Sequence, residues 1–157
     1  MDARKDGPPP SLVLGGGSLL NQVGRELATV MDRQLAPAGI TAQQAALLLH
    51  ASRRQRTPSQ LMSLLGTDTA GMTKLLDRLQ AKGLIQRQPH PTDRRAVLVT
   101  LTGAGHALLP RARPAFGRVT RQLLAGFTEE EIVQLTGMLE RMLGNLRAVA
   151  PGPPVRA

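Results

Sequence analysis

The stretch "TPSQLMSLLGTDTAGMTKLLDRLQAKG", residues 57–83, decides the fold. It writes two capped helices in succession with a short turn between them. Thr57 stands as N-cap, Pro58 takes the first helical position, Gln60 reaches back, and Gly66 ends the helix. Thr67 reads as the cap of a second helix, Asp68 favours its positive N-terminal dipole, and Gly83 closes it. Two helices joined across Gly66 and Thr67 make a helix-turn-helix.

Downstream the period changes. "LIQRQ" (84–88) and "AVLVTL" (96–101) read as strands, joined by "PHPTDRR" (89–95). A helix-turn-helix followed by a β-hairpin is a winged helix. Upstream, Thr41 and Gln44 form a capping box for a helix over "TAQQAALLLHAS" (41–52). An earlier amphipathic helix runs from Ser18, with Leu19, Leu20, Val23, Leu27, Val30, Met31 and Leu35 apolar, until "APAG" stops it. The glycine-rich "LVLGGGSLL" (12–20) reads as a flexible lead-in, with no strand–helix unit of dinucleotide-binding type around it. After the hairpin comes a long helix containing Pro110 and Pro114, which predict a kink or a broken start. A last helix begins with Thr128 as cap and Glu131 at N3 and carries an apolar stripe from Ile132 to Leu146.

The fold class is therefore mainly α: a winged helix-turn-helix of about six helices plus a hairpin wing, with N- and C-terminal dimerisation helices. It reads as a single domain over 11–150, with the winged helix at 41–102 and the dimerisation helices at 18–36 and 103–149. Segments 1–10 and 151–157 are rich in Pro, Gly and charge and read as disordered tails.

Composition narrows the chemistry. Of 157 residues 41% are hydrophobic, and with two Phe, no Trp and no Tyr the core must be aliphatic. Base stacking on aromatic platforms is disfavoured. The absence of Cys excludes disulfides, thiolate ligands and thiol nucleophiles, and three scattered His make a zinc site improbable. No run reaches the ~18 apolar residues of a membrane span, so a cytoplasmic protein is expected. Twenty basic residues oppose eleven acids, for a net charge of +9. Residues 53–95 hold nine of the cations and three of the acids, +6 of that charge. Such a balance suits a polyanion, and Arg, which supplies all but three of the cations, suits phosphates and guanine edges. A plain solubility charge is the alternative.

On the second helix of the pair, Met72, Leu75, Leu76 and Leu79 mark a buried face. Thr69, Ala70, Thr73, Lys74, Asp77 and Arg78 lie on the other side. The N-terminal half of that outer face is small and polar, as a helix entering the major groove requires. An isolated helix of this kind would be an ordinary solvated one; the preceding helix and turn favour DNA. Candidate DNA contacts are Thr57, Ser59, Asp68, Thr69, Ala70, Gly71, Thr73, Lys74, Arg78 and Arg87, with Arg94 and Arg95 at the hairpin tip. Arg95 suits a narrow minor groove and Arg94 a phosphate. Asp93 is read as shaping the tip by pairing with a neighbouring arginine. A solvated surface pair is the competing reading.

The run "LLDRLQAKGLIQRQPHPTDRRAVLVTLTGAGHAL" (75–108) resembles the signature of the MarR family of winged-helix transcription regulators. The matching residues are Leu79, Gly83, Leu84, Arg87, Asp93, Arg95, Leu101, Thr102 and Gly105. The resemblance implies a homodimer built from the terminal helices and binding to a pseudo-palindromic operator in double-stranded DNA. It also implies repression released by a small effector, often a phenolic or aromatic acid. Ala70 and Gly71 depart from the larger polar residues frequent in the family there, which throws weight on Thr69, Thr73, Lys74 and DNA shape. The lack of Cys excludes the family's thiol-based peroxide sensing.

The dimer expectation also follows from the residues. The first and last helices carry more apolar side chains than a small winged helix covers; the alternative is that they pack on each other within one chain. For an effector, the resemblance points between the dimerisation helices and the winged helix, where His50 and Arg53 are the nearby polar groups; a satisfied core or edge histidine is the plainer reading of His50. A basic helical module for RNA or protein is the alternative function. An enzyme lacks support: there are no clustered carboxylates, no nucleophile–His motif and nothing that calls for a cofactor.

Overall fold

The structure, a computed structural model, describes residues 10–148. Its elements are α1 (Pro10–Leu35), a 3-10 turn (Ala36–Ala38), α2 (Ala42–Arg53), α3 (Pro58–Leu65) and α4 (Thr69–Ala81). They continue with β1 (Ile85–Pro89), β2 (Val97–Leu101), α5 (Gly103–Leu123) and α6 (Glu129–Ala148). The mainly α, winged helix-turn-helix reading of the sequence is the architecture found. The tails expected at 1–10 and 151–157 lie outside the described residues, apart from Pro10, which opens α1. The chain divides into two compact units, one ending at Val119 and one beginning at Thr120.

In the first unit the core is aliphatic. Leu35, Leu47, Leu48, Leu61, Leu79, Ile85 and Val99 are all essentially inaccessible to water. These residues come from α1, α2, α3, α4 and both strands, so one hydrocarbon cluster fixes the helix pair against the hairpin. The strands pair antiparallel from Ile85 opposite Leu101 to Pro89 opposite Val97. Arg56, just before α3, adds a β-bridge to Val99, whose N–H donates to the Arg56 carbonyl at 2.8 Å.

The junction of α4, hairpin and α5 is tight. Gly83, at φ 67, turns the chain out of α4 in the left-handed region. Thr102 Oγ1 donates to the Gly83 carbonyl at 2.6 Å and accepts the Gly105 N–H at 3.1 Å. A Cβ on Gly105 would stand 2.1 Å from the Leu84 carbonyl oxygen, so only glycine allows this approach.

The second unit holds the end of α5 and all of α6. The predicted box is present: Thr128 N–H donates to Glu131 Oε2 at 2.8 Å, and Glu131 N–H to Thr128 Oγ1 at 3.2 Å. Glu129, Glu130 and Glu131 complement the positive end of the α6 dipole. No α6 residue is buried; Val133, Met142, Leu143 and Leu146 are exposed.

Three expectations are corrected. Gly15–Gly17 are not a lead-in: they lie inside α1, which begins at Pro10 and not at Ser18. Each glycine costs a helix about 1 kcal/mol, but Met31 and Leu35 anchor the C-terminal part in the core and the helix need only propagate from there. Pro110 and Pro114 do not break α5, which runs without interruption across both. Leu109, Ala112, Ala115 and Val119 are buried while the two prolines are exposed, so packing of one face holds the helix that the missing N–H groups weaken. Finally, the α4 cap is Asp68 and not Thr67.

Candidate nucleic-acid interface

The start of α4 is built by its cap. Asp68 Oδ1 accepts the Gly71 N–H at 2.7 Å, which commits that carboxylate to the helix end. A Cβ on Gly71 would stand 2.4 Å from Thr67 Oγ1 and 2.9 Å from Asp68 Oδ1. Glycine there lets the cap close over the first turn. Thr69, Ala70, Thr73, Lys74 and Arg78 are exposed, opposite the buried Met72, Leu75, Leu76 and Leu79. Thr73 Oγ1 donates to the Thr69 carbonyl at 2.9 Å, so its proton is used within the helix and its lone pairs and methyl face outward chemistry. Thr57 is likewise engaged as the α3 cap, accepting the Gln60 N–H, whereas Ser59, two residues on, is exposed.

The hairpin tip is shaped by acceptors. Asp93 does not pair with an arginine side chain: its Oδ1 accepts the backbone N–H of Arg95 at 2.9 Å, and its carbonyl accepts the Ala96 N–H at 3.0 Å. A two-residue return to its own backbone is the local geometry Asp favours in turns, and it outcompetes a floppy surface ion pair. His90 Nδ1 lies 3.2 Å from the Asp93 N–H and 3.3 Å from the Thr92 N–H, an acceptor for the same turn. Arg94 and Arg95 are exposed, and among the described residues nothing binds either guanidinium.

Arg87, on β1, differs. Its Nη2 meets Asp77 Oδ1 of α4 at 2.6 Å and ties the wing base to the helix. Between α3, α4 and the hairpin lies a cleft of about 470 Å³ with an apolar lining that includes Pro58, Met62, Met72 and Leu76 and a polar edge at Thr73 and Arg87. Thus the outer edge of α4 and the wing face one space. His50 and Arg53 do not line this cleft. His50 is half-buried at the end of α2, with its imidazole held below the usual range by burial and by Arg56 and Arg53. Its carbonyl accepts Arg56 Nε at 3.3 Å, which helps hold the Arg56 bridge to the wing.

Sequence reasoning missed this bridge, the Asp77–Arg87 pair and the His90 acceptor. A one-residue bridge leaves no periodic signal. The ten-residue separation of Asp77 and Arg87 links different elements, so it leaves no helical spacing to read. Among the described residues no helix is long and apolar enough to cross a membrane, and no group of His, Asp and Glu could hold a metal ion.

A helix-turn-helix with a hairpin wing packed on its second helix defines a winged-helix protein. The family model described as "MarR family" matches residues 38–96. The chain is 32% identical over 129 residues to the multiple antibiotic resistance protein MarR of Escherichia coli, covering 81% of this chain and 90% of that protein. It is 31% identical to the HTH-type transcriptional regulator PecS of Dickeya dadantii, over 85% of this chain and 81% of the relative. A crystal structure of a mutant Escherichia coli MarR complexed with operator DNA superposes with a TM-score of 0.74 at 29% identity, covering 87% of this chain and 99% of that one. The chain belongs to the MarR family of transcriptional regulators.

Proposed function

We propose that the protein is a homodimeric, sequence-specific DNA-binding regulator that acts in the cytoplasm as a repressor and lets go of its operator when a small ligand binds. The observation that carries this reading is the pairing of a small, polar outer face on α4 with two unheld arginines at the tip of the adjoining wing. Thr69, Ala70, Gly71, Thr73 and Lys74 enter the major groove, Arg95 the flanking minor groove, and Arg78, Arg94, Thr57 and Ser59 lie along the phosphates. The related MarR in complex with operator DNA supports DNA binding.

Dimerisation is supported by exposed hydrocarbon. In α1, Leu19, Leu20 and Val23 are open to water, and in α6 so are Val133, Met142, Leu143 and Leu146. Single exposed apolar residues are ordinary; stripes of them mark interfaces. A solution mass of about twice the 16.8 kDa chain is expected.

For the effector, the cleft between α3, α4 and the wing has an apolar floor and the Arg87 guanidinium at its edge, which suits an aromatic acid. An occupant there would stand beside the reading surface and compete with the duplex. Selection of bound fragments from random-sequence DNA tests the DNA reading: two-fold related half-sites are expected, and a monomer that enriches no sequence would overturn it. Benzoate-type acids are then titrated into the complex; release supports the effector reading, and unchanged binding at saturating acid removes it.

A further inference from the structure

Lys82 follows the last residue of α4 and caps that helix. Its ammonium donates to the Gly39 carbonyl at 2.6 Å and to Gln44 Oε1 at 3.2 Å, groups 43 and 38 residues away. Both acceptors mark the junction of α1 with α2. Gly39, at φ 69, ends the 3-10 turn that follows α1, and Gln44 is the third residue of α2. Gln44 is a buried polar side chain, and its Oε1 also accepts the Thr41 N–H at 3.2 Å, so both lone pairs are committed.

Asp32 Oδ1 accepts the Ala42 N–H and offsets the positive end of α2 at this junction, and two aimed acceptors fix the ammonium there. Lys82 also lies about 20 Å along the helix axis from Thr69, at 1.5 Å per residue, well away from the half of α4 assigned to the groove.

We propose that Lys82 is a positioning residue. It ties the exit of the reading helix to the end of the dimerisation helix α1, and so fixes how far apart the two reading helices of the dimer stand. The consequence is selectivity for half-site spacing. This rests on the dimeric DNA-binding reading above.

The test uses the full chain and a duplex selected by the wild type from random-sequence DNA, with companions whose half-sites are moved one base pair closer or farther. Wild type is expected to discriminate among the spacings. Lys82→Met is expected to lose about tenfold in affinity on the selected spacing, the worth of a charged hydrogen bond, and little on the others. The slope of log affinity against log salt should stay at the wild-type value, whereas Arg94→Ala, which removes a phosphate contact, should lower it by about one. Lys82→Arg, which keeps a long cationic donor, should restore the preference. Should Lys82→Met fail to fold, Lys82→Gln, polar but too short for both acceptors, carries the same test. Unchanged spacing preference in the neutral variant overturns the proposal, and so does an equal loss at every spacing with a reduced salt slope. A wild type that selects no duplex overturns the DNA reading, and this proposal with it.

Discussion

Arg87 and Arg95 stand on one hairpin, the first at its base and the second at its tip, and only the first is held by a carboxylate. At the base, Asp77 pairs with Arg87, Arg56 bridges to Val99, and Gly105 packs on Leu84. At the tip, Asp93 holds backbone, His90 holds backbone and the Thr92 hydroxyl, and among the described residues both arginine guanidiniums stay open. The base is built for rigidity within the chain. The tip is rigid in its main chain and unsatisfied in its charges, which is how a protein keeps cations ready for an external anion without folding them onto itself.

The largest break in this comparison comes from the base. Gly105→Ala forces a methyl against the Leu84 carbonyl and is expected to destabilise the fold by about 2–3 kcal/mol, the cost of overpacking. Calorimetric melting checks it, and an unchanged midpoint would mean the junction is softer than described. Arg95→Ala should do the opposite: melting within ~0.5 kcal/mol of wild type, but DNA affinity reduced by about 1–3 kcal/mol. Fluorescence anisotropy on the selected duplex reads it.

Asp93→Ala sharpens the contrast, since it leaves both arginines in place and removes the acceptor for the Arg95 N–H. About 1 kcal/mol of affinity should go, with stability nearly intact. If Asp93 mattered through charge repulsion from DNA, affinity would rise instead.

The smallest effect concerns pH. Burial first, then Arg56 and Arg53, depress the His50 pKa below its ordinary value of 6.5. A proton is then bound more readily by the unfolded chain. The stability from neutral His50 is complete above that ordinary value and is lost as pH falls through it toward the native one. Melting of the wild type should therefore decline from about pH 7 to about pH 5 more steeply than melting of His50→Gln.

Local grammar explains what the sequence disclosed. Thr41–Gln44, Thr57–Gln60 and Thr128–Glu131 each close a box within four residues, so the starts of α2, α3 and α6 were legible, as was the hairpin between two β-branched runs. What was not legible is long-range. Lys82 reaching Gly39 and Arg56 reaching Val99 depend on how α2, α4 and the wing pack. The same holds for α1 continuing through three glycines and α5 through two prolines, where burial of one face overrides propensity. The arginines at the tip were readable as candidates, but the Asp93 turn that leaves them open was not, because a pairing and a backbone bond are equally consistent with "DRR".

Hydroxyl-radical footprinting of the full-length protein on its selected duplex tests the central claim most directly. Two protected patches about one helical turn apart are predicted on one face, with flanking minor-groove protection that disappears in Arg95→Ala while the central patches remain. Protection that is continuous and independent of sequence, or a footprint identical in Arg95→Ala, would contradict it.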